Sequence, residues 1–300
     1  MNKPLAADFV VFAIFLLGPL VEWRWFWPRL VRSTAAGVRG ARTAYYWGTI
    51  AVEWIPTLYV LTLWLVFRRP WDNLYLGRSS LFRLGLGLAF ALVVIIFLWN
   101  QQRTILARPK LIQQVRRKMS FADPFLPHTD AERRHFWFVA ITAAVCEEIL
   151  YRGFLFSFLR AWSGIIAAVV ISSIVFGFAH LYQGYRHAPR TALVGLFLAV
   201  VVLLSKSLWP AILIHAAIDF SSGELGFAIS RAAPGESAGR PAADFVGGWS
   251  IERTPARISG AAIPAWPEPR RAVFRVPVFE FSFLLSCTIE TTYRFLKNAL

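Results

Sequence analysis

The sequence predicts an all-α fold, a polytopic transmembrane helical bundle with about seven spans, or eight if a C-terminal apolar stretch also crosses the membrane. Of the 300 residues, 57% are hydrophobic and only 16% are charged, whereas soluble domains are roughly 45–50% apolar. The apolar residues form separate stretches that approach the roughly 20 residues needed to span a bilayer. These observations exclude an ordinary soluble globular domain.

The formal net charge is +15, and most Lys and Arg residues lie outside the apolar stretches. In a soluble protein this excess would suggest binding to nucleic acid, but beside membrane spans basic residues set topology and contact lipid headgroups. We therefore expect the lipid bilayer as a partner and no nucleic acid. The two cysteines, Cys146 and Cys287, give neither a disulfide framework nor a paired-cysteine metal site.

Seven apolar stretches divide the chain into four regions. Residues 1–99 hold three N-terminal spans, and residues 100–135 form a basic cytoplasmic loop. Residues 136–229 form a transmembrane core that carries the polar residues of interest, and residues 230–300 form a Pro- and Arg-rich tail that we expect to be disordered, with an apolar end. The expected spans are Ala6–Val21, Tyr45–Phe67, Leu84–Trp99, Phe136–Leu159, Gly164–Tyr182, Thr191–Leu204 and Leu208–Ile229.

Two of these regions leave alternatives open. The first part of the basic loop fits either an amphipathic helix on the membrane surface or a solvated loop. Thr129 and Glu132, three residues apart, are typical of a capping box that starts the next helix. The apolar run Val273–Phe295 is interrupted by Arg, Pro and Glu residues, which favours a surface helix over an eighth span.

Two adjacent glutamates lie in the apolar run of the fourth span. Arg152 follows Glu148 by four residues, so the two side chains can pair on a helix. Glu147 then points roughly 100° away from Glu148 and stays free to react. A single Glu–Arg pair in an apolar helix is usually a buried ion pair between helices, but charged groups at membrane depth also mark functional sites. Glu53, in the second span, is expected to have a structural or interfacial role.

Two further polar positions in the core favour a functional site. His180 ends the fifth span, and His215 and Asp219, four residues apart, share a helix face on the seventh. Helices that converge would bring a free carboxylate and two imidazoles together between spans four, five and seven. These groups are suited to activating a water molecule.

Two chemistries fit this set. In the first, Glu147 is a general base, helped by His180, and deprotonates water for attack on a peptide carbonyl, while His215 and Asp219 stabilise the oxyanion. In the second, His180, His215 and an acidic residue hold zinc. The His-Glu-x-x-His motif is absent, so the spacing itself signals no metal site, and we expect no required cofactor.

The three polar positions resemble the motifs of the CPBP family of intramembrane proteases, which includes the CAAX prenyl endopeptidases and bacteriocin-processing or immunity proteins. The family pattern is Glu-Glu-x-x-x-Arg, then Phe-x-x-x-His, then His-x-x-x-Asn or Asp. Here the pattern reads Glu147-Glu148-Ile-Leu-Tyr-Arg152, Phe176-Gly-Phe-Ala-His180 and His215-Ala-Ala-Ile-Asp219. The resemblance covers about Leu126 to Gly223. The first three spans and the tail carry no comparable motif.

The resemblance implies a role for each matched residue. Glu147 would activate water with His180 beside it, His215 and Asp219 would form the oxyanion side, and Glu148 and Arg152 would hold the site together, with Phe176 in support. Asp219 stands where the CAAX-processing members have Asn, which argues against prenyl-protein processing. Cys146, next to Glu147, is not expected to act as a nucleophile, because an apolar environment disfavours the thiolate.

The sequence thus predicts an integral membrane endopeptidase of glutamic type that cuts a peptide or protein substrate near the membrane. Its similarity to bacterial members implies a multi-pass protein of the bacterial cytoplasmic membrane. The alternative is a non-catalytic protein, such as an immunity or scaffold protein, that binds a peptide in the same cavity. A transporter or proton relay is less favoured, because no inverted repeat is visible and the sixth span has no ionisable residue.

Overall fold

The computed structural model describes residues 5–232, which form nine α-helices and, within that part of the chain, no β-strand. The sequence predictions for the tail beyond residue 232, including the run Val273–Phe295, lie outside the described residues. The helices are α1 (Ala6–Val21), α2 (Trp27–Ala35), α3 (Ala41–Val66), α4 (Leu81–Leu106), α5 (Pro109–Met119), α6 (Asp130–Glu147), α7 (Phe156–Ala179), α8 (Ala188–Ser205) and α9 (Trp209–Arg231). The predicted all-α membrane bundle is confirmed.

The first helical rod is longer than the predicted first span. A π-helical turn, Glu22–Phe26, joins α1 to α2 without a break, so helix continues past Val21 to Ala35. The rod ends where Gly37 and Gly40 adopt φ values of 68° and 74°. Only glycine adopts this left-handed conformation without steric cost, which is why the chain reverses here into α3.

The segment predicted as a basic loop is largely helical. Helix α4 continues to Leu106, and α5 follows after two residues. The last turn of α5 carries three basic residues, and one of them, Arg116, donates a hydrogen bond to the Ile229 carbonyl of α9. The next helix, α6, begins with the predicted capping box, because Thr129 Oγ1 accepts from the Glu132 amide at 3.2 Å and Glu132 Oε2 accepts from the Thr129 amide at 3.1 Å.

The chain reverses direction at Gly164, which has φ 76° and ψ 178°. Arg152 and Phe176 lie 12 residues before and after Gly164, and a straight helix would separate them by roughly 36 Å. Instead the Arg152 guanidinium lies 4.1 Å from the centre of the Phe176 ring. Within residues 5–232, six helical stretches are long and apolar enough to cross a membrane, and one of them, Asp130–Ala179, contains this reversal. The structure is therefore compatible with about seven spans.

Small residues bring the helices of the core close together. A Cβ atom on Gly177 of α7 would lie 2.5 Å from the Ala188 carbonyl oxygen of α8, and one on Gly87 of α4 would lie 2.8 Å from Pro210 Cγ of α9. Close backbone approach through small residues is typical of membrane helix packing. The fully buried Leu198 belongs to the apolar core that α8 shares with these helices.

Candidate active site

The first predicted motif lies on a widened helical turn. Helix α6 changes to π-helical geometry over Glu148–Leu155 before α7 begins, and such turns are frequent at functional sites. Arg152 Nη1 donates to Glu148 Oε1 at 2.8 Å, and both side chains are buried. The ion pair that the four-residue spacing predicts is therefore present.

The Glu148–Arg152 pair also fixes residues on three other helices. His215 Nδ1 of α9 lies 2.8 Å from the same Glu148 Oε1, and because a carboxylate only accepts, Nδ1 carries the proton. Arg152 Nη2 donates to the Gly195 carbonyl of α8 at 3.2 Å, and its guanidinium stacks over the Phe176 ring of α7. The Arg152–Glu148–His215 chain thus holds one imidazole in a set tautomer and orientation.

Glu147 faces the other nitrogen of this imidazole. Its Oε2 lies 3.8 Å from His215 Nε2, and Asp219 Oδ2 lies 3.6 Å from the same nitrogen. Glu147 Oε2 is buried and makes no hydrogen bond to any described residue. The geometry therefore provides a carboxylate that is close to a positioned imidazole but is not engaged by it.

His180 is anchored by its own helix end. Its Nδ1 donates to the Phe176 carbonyl at 2.9 Å, which leaves Nε2 as an acceptor. The ring interacts electrostatically with His215 and Asp219, so it belongs to the same cluster. Among residues 5–232, no hydrogen bond joins His180 to Glu147, and the predicted help from His180 to Glu147 stays a prediction.

Glu53, which is in no family motif, lies near this site. The Glu53 carboxyl of α3 interacts electrostatically with those of Glu147 and Asp219 and also with that of Glu22, in the turn after α1. Glu22 in turn accepts a hydrogen bond from the Tyr45 hydroxyl. The sequence by itself predicts only a structural or interfacial role for Glu53. The signal that could have found its position was a glutamate in the middle of an apolar span.

The zinc alternative requires histidines and a carboxylate around one ion. Within the part of the chain that the structure describes, no three His, Cys, Asp or Glu side chains are arranged to hold a metal ion. His215 Nδ1 donates to Glu148 and His180 Nδ1 donates to a carbonyl, which leaves Nε2 of each ring available, as in many metal sites. The zinc alternative therefore stays a hypothesis, which cleavage in the presence of a chelator tests. Cys146, on α6, is a free cysteine whose side chain is fully buried.

One comparison with known proteins found a relative for this part of the chain. The family model described as type II CAAX prenyl endopeptidase Rce1-like matches residues 132–221. Neither the comparison with curated proteins nor that with solved structures found a match. The matched residues contain all three motifs, so the resemblance predicted from them is confirmed. The segment 132–221, which holds the candidate active site, is therefore similar to the Rce1-like type II CAAX prenyl endopeptidases.

Proposed function

We propose that the chain is an integral membrane endopeptidase of glutamic type, in which Glu147 activates the water that attacks the peptide bond. The family match supports a protease with a peptide substrate in a membrane setting. The observation that carries the glutamic mechanism is the contrast between the two glutamates. Glu148 Oε1 binds both Arg152 and His215 at 2.8 Å, whereas the Glu147 carboxyl makes no hydrogen bond within the described chain and comes only within 3.8 Å of His215.

The reaction needs a base, an acid and a group that stabilises the oxyanion. Glu147 takes a proton from water, and the resulting hydroxide attacks the carbonyl carbon of the substrate. The oxyanion of the tetrahedral intermediate accepts a hydrogen bond from protonated His215 Nε2, which Glu148 keeps in place through Nδ1. Glu147 then passes its proton to the leaving nitrogen as the C–N bond breaks.

Asp219 and His180 have supporting roles in this mechanism. Asp219, 3.6 Å from His215 Nε2, supplies a second contact on the oxyanion side when it carries a proton. His180 offers Nε2 as a hydrogen-bond acceptor for the water molecule, since Nδ1 is already used. Arg152 and Glu148 do not touch the reacting atoms and act as positioning residues. We place this activity in the cytoplasmic membrane of a bacterium.

The test is peptide cleavage by the purified full-length chain in detergent. The substrate is a peptide library read by mass spectrometry, and the variants are Glu147→Gln and a matched carboxyl-to-amide change, Asp130→Asn, on the exposed start of α6. We expect Glu147→Gln to lower kcat/KM by at least ~100-fold, the lower end for loss of a general base, and Asp130→Asn to retain activity. Each protein is also assayed with a tight zinc chelator.

The outcomes separate the candidate chemistries. Loss of cleavage in Glu147→Gln together with indifference to the chelator supports the glutamic mechanism. Loss of wild-type cleavage in the chelator, restored by added zinc, would revive the metal-dependent alternative. A folded wild-type chain that binds peptides but cleaves none of them would overturn the proposal in favour of a non-catalytic immunity or scaffold protein.

A further inference from the structure

A second group of acidic and aromatic side chains lies beside Glu147. Glu53 on α3 interacts electrostatically with the carboxyls of Glu147 and Glu22. The hydroxyl of Tyr45, also on α3, donates a hydrogen bond to Glu22 and interacts electrostatically with Glu53. Tyr182, in the turn after α7, lies beside them, and it is the one member of the group inside the family match. The carboxylate–aromatic cluster consists of Glu22, Tyr45, Glu53 and Tyr182.

The aromatic members of the carboxylate–aromatic cluster stand close to its carboxyl groups. Tyr182 interacts electrostatically with Glu147 and Glu22. The ring of Trp27 packs against the cluster, with its centre 5.0 Å from that of Tyr182 and 6.5 Å from that of Tyr45. Aromatic faces and carboxylates together are the groups that bind ammonium and guanidinium ions in proteins.

The carboxylate–aromatic cluster lacks a positive partner. Glu53 Oε2 is buried and makes no hydrogen bond with the rest of the described chain. Among the described residues, no ion pair joins Glu22 or Glu53 to a basic side chain, although the chain has 32 Lys and Arg residues. A buried carboxyl without a partner is unfavourable. A basic side chain is a partner that fits, because carboxyls beside aromatic faces can bind an ammonium or guanidinium group.

We propose that the carboxylate–aromatic cluster is a substrate subsite that binds a Lys or Arg side chain close to the bond attacked at Glu147. This inference rests on the proposed function, because the peptide must lie across the catalytic glutamate for its basic side chain to reach Glu53. The carboxyl groups of Glu22 and Glu53 neutralise the cation, and the Tyr45 and Tyr182 rings cover its apolar stem and face. The enzyme would then prefer basic peptides.

The test is a binding competition that does not require cleavage. Two peptide pools have randomised flanks and differ only at the centre, where one has Lys and the other has norleucine, a side chain of similar length without charge. Both pools are offered together to full-length Glu147→Gln in detergent, and the bound peptides are counted by mass spectrometry. Two double variants, Glu147→Gln with Glu53→Gln and Glu147→Gln with Asp130→Asn, are compared after size exclusion has shown that each is monodisperse.

We expect the Lys pool to be enriched roughly tenfold over the norleucine pool, the ratio that one charge-assisted hydrogen bond of ~1.4 kcal/mol gives. Adding Glu53→Gln should bring the ratio close to one, whereas adding Asp130→Asn should leave it unchanged. Equal capture of the two pools, or a ratio that survives Glu53→Gln, would overturn the subsite. Absence of cleavage by the wild type would instead overturn the proposed function, and the binding ratio would still stand.

Discussion

Glu147 and Glu148 are neighbours in the chain and yet lie in opposite surroundings. The Glu148 side chain is 0% exposed and has two partners at 2.8 Å, Arg152 and His215. The Glu147 side chain is 16% exposed and comes only within 3.8 Å of His215. One helical turn thus holds two carboxylates in different states. Glu148 fixes the positions of Arg152 and His215, whereas Glu147 keeps its oxygen lone pairs available.

The same contrast extends to the two sides of the site. On the side of α7, α8 and α9, Arg152 and His215 both bind Glu148 through Oε1, so this carboxyl has charged partners although its Oε2 has none. No such partner binds the Glu53 carboxyl among the described residues. On the side of α3, Glu53 has an oxygen that is buried and without a partner. We infer that the first side contributes stability, and that the second side gives up stability in return for binding and chemistry. The following variants test this contrast, beginning with the largest expected effect.

Arg152→Met should have the largest effect on stability. The substitution leaves Glu148 buried with its charge only partly compensated by His215, and removing one partner of a buried pair typically costs about 3–5 kcal/mol. The measurement is the free energy of unfolding in detergent, followed by the midpoint of a denaturant titration. The double variant Glu148→Gln with Arg152→Met removes both charges and should recover part of the loss. Additive effects of the two changes would mean that the residues do not act as a pair.

Exchanging each glutamate for glutamine compares the two neighbours directly. Glu148→Gln should lower the free energy of unfolding by about 1–3 kcal/mol, because Arg152 loses its counter-charge in a buried place. Glu147→Gln should leave stability unchanged or raise it, since Oε2 has no hydrogen bond to lose. Both should reduce cleavage, Glu147→Gln through the base and Glu148→Gln through the position of His215. Equal destabilisation by Glu147→Gln and Glu148→Gln would contradict the view that only Glu148 is held by stabilising contacts.

One contact of the paired side, Glu148 with Arg152, could be predicted from the sequence, whereas the contacts between separate helices could not. A four-residue spacing on a helix is enough to pair Glu148 with Arg152, and the motifs place His215 on a neighbouring span. The hydrogen bond from His215 Nδ1 to Glu148 depends on how α9 packs against the π-helical turn at Glu148–Leu155. Spacing along the chain contains no information about that packing.

The position of Glu53 shows the same limit more clearly. Nothing in the 93 residues between Glu53 and Glu147 indicates that α3 packs against α6, and only the fold brings the carboxyl groups of these two residues together. The predicted ends of the spans were less accurate than their number. Hydropathy detects the apolar centre of a helix, whereas α4 continues for seven residues beyond Trp99, and the first five of these are polar.

Gly195→Ala should have a moderate effect that is specific to the paired side. The added Cβ would lie 3.0 Å from Phe176 Cδ1 and 3.3 Å from Arg152 Nη2, and overpacking of this kind costs about 1–3 kcal/mol. Because the displaced guanidinium holds Glu148, cleavage should fall as well. The matched control is Gly85→Ala on α4, where a Cβ meets no atom within 4 Å. That control should be neutral or slightly stabilising, since alanine favours helix. If Gly195→Ala and Gly85→Ala have the same stability and cleavage, the close packing around Arg152 is not needed for either property.

Asp130→Asn should have the smallest effect, and this is what makes it a suitable control for the other variants. Asp130 Oδ2 lies 3.6 Å from Arg231 Nη1, and both side chains are more than 60% exposed. Exposed ion pairs contribute about 0–1 kcal/mol because water and salt screen them. The expected result is a change in the free energy of unfolding below ~0.5 kcal/mol and unchanged cleavage. A loss as large as that of Glu148→Gln would contradict the comparison, because burial would then not be what makes the Glu148–Arg152 pair important. With the expected result, the difference in the free energy of unfolding between Glu148→Gln and Asp130→Asn measures how much burial in the π-helical turn strengthens the Glu148–Arg152 pair.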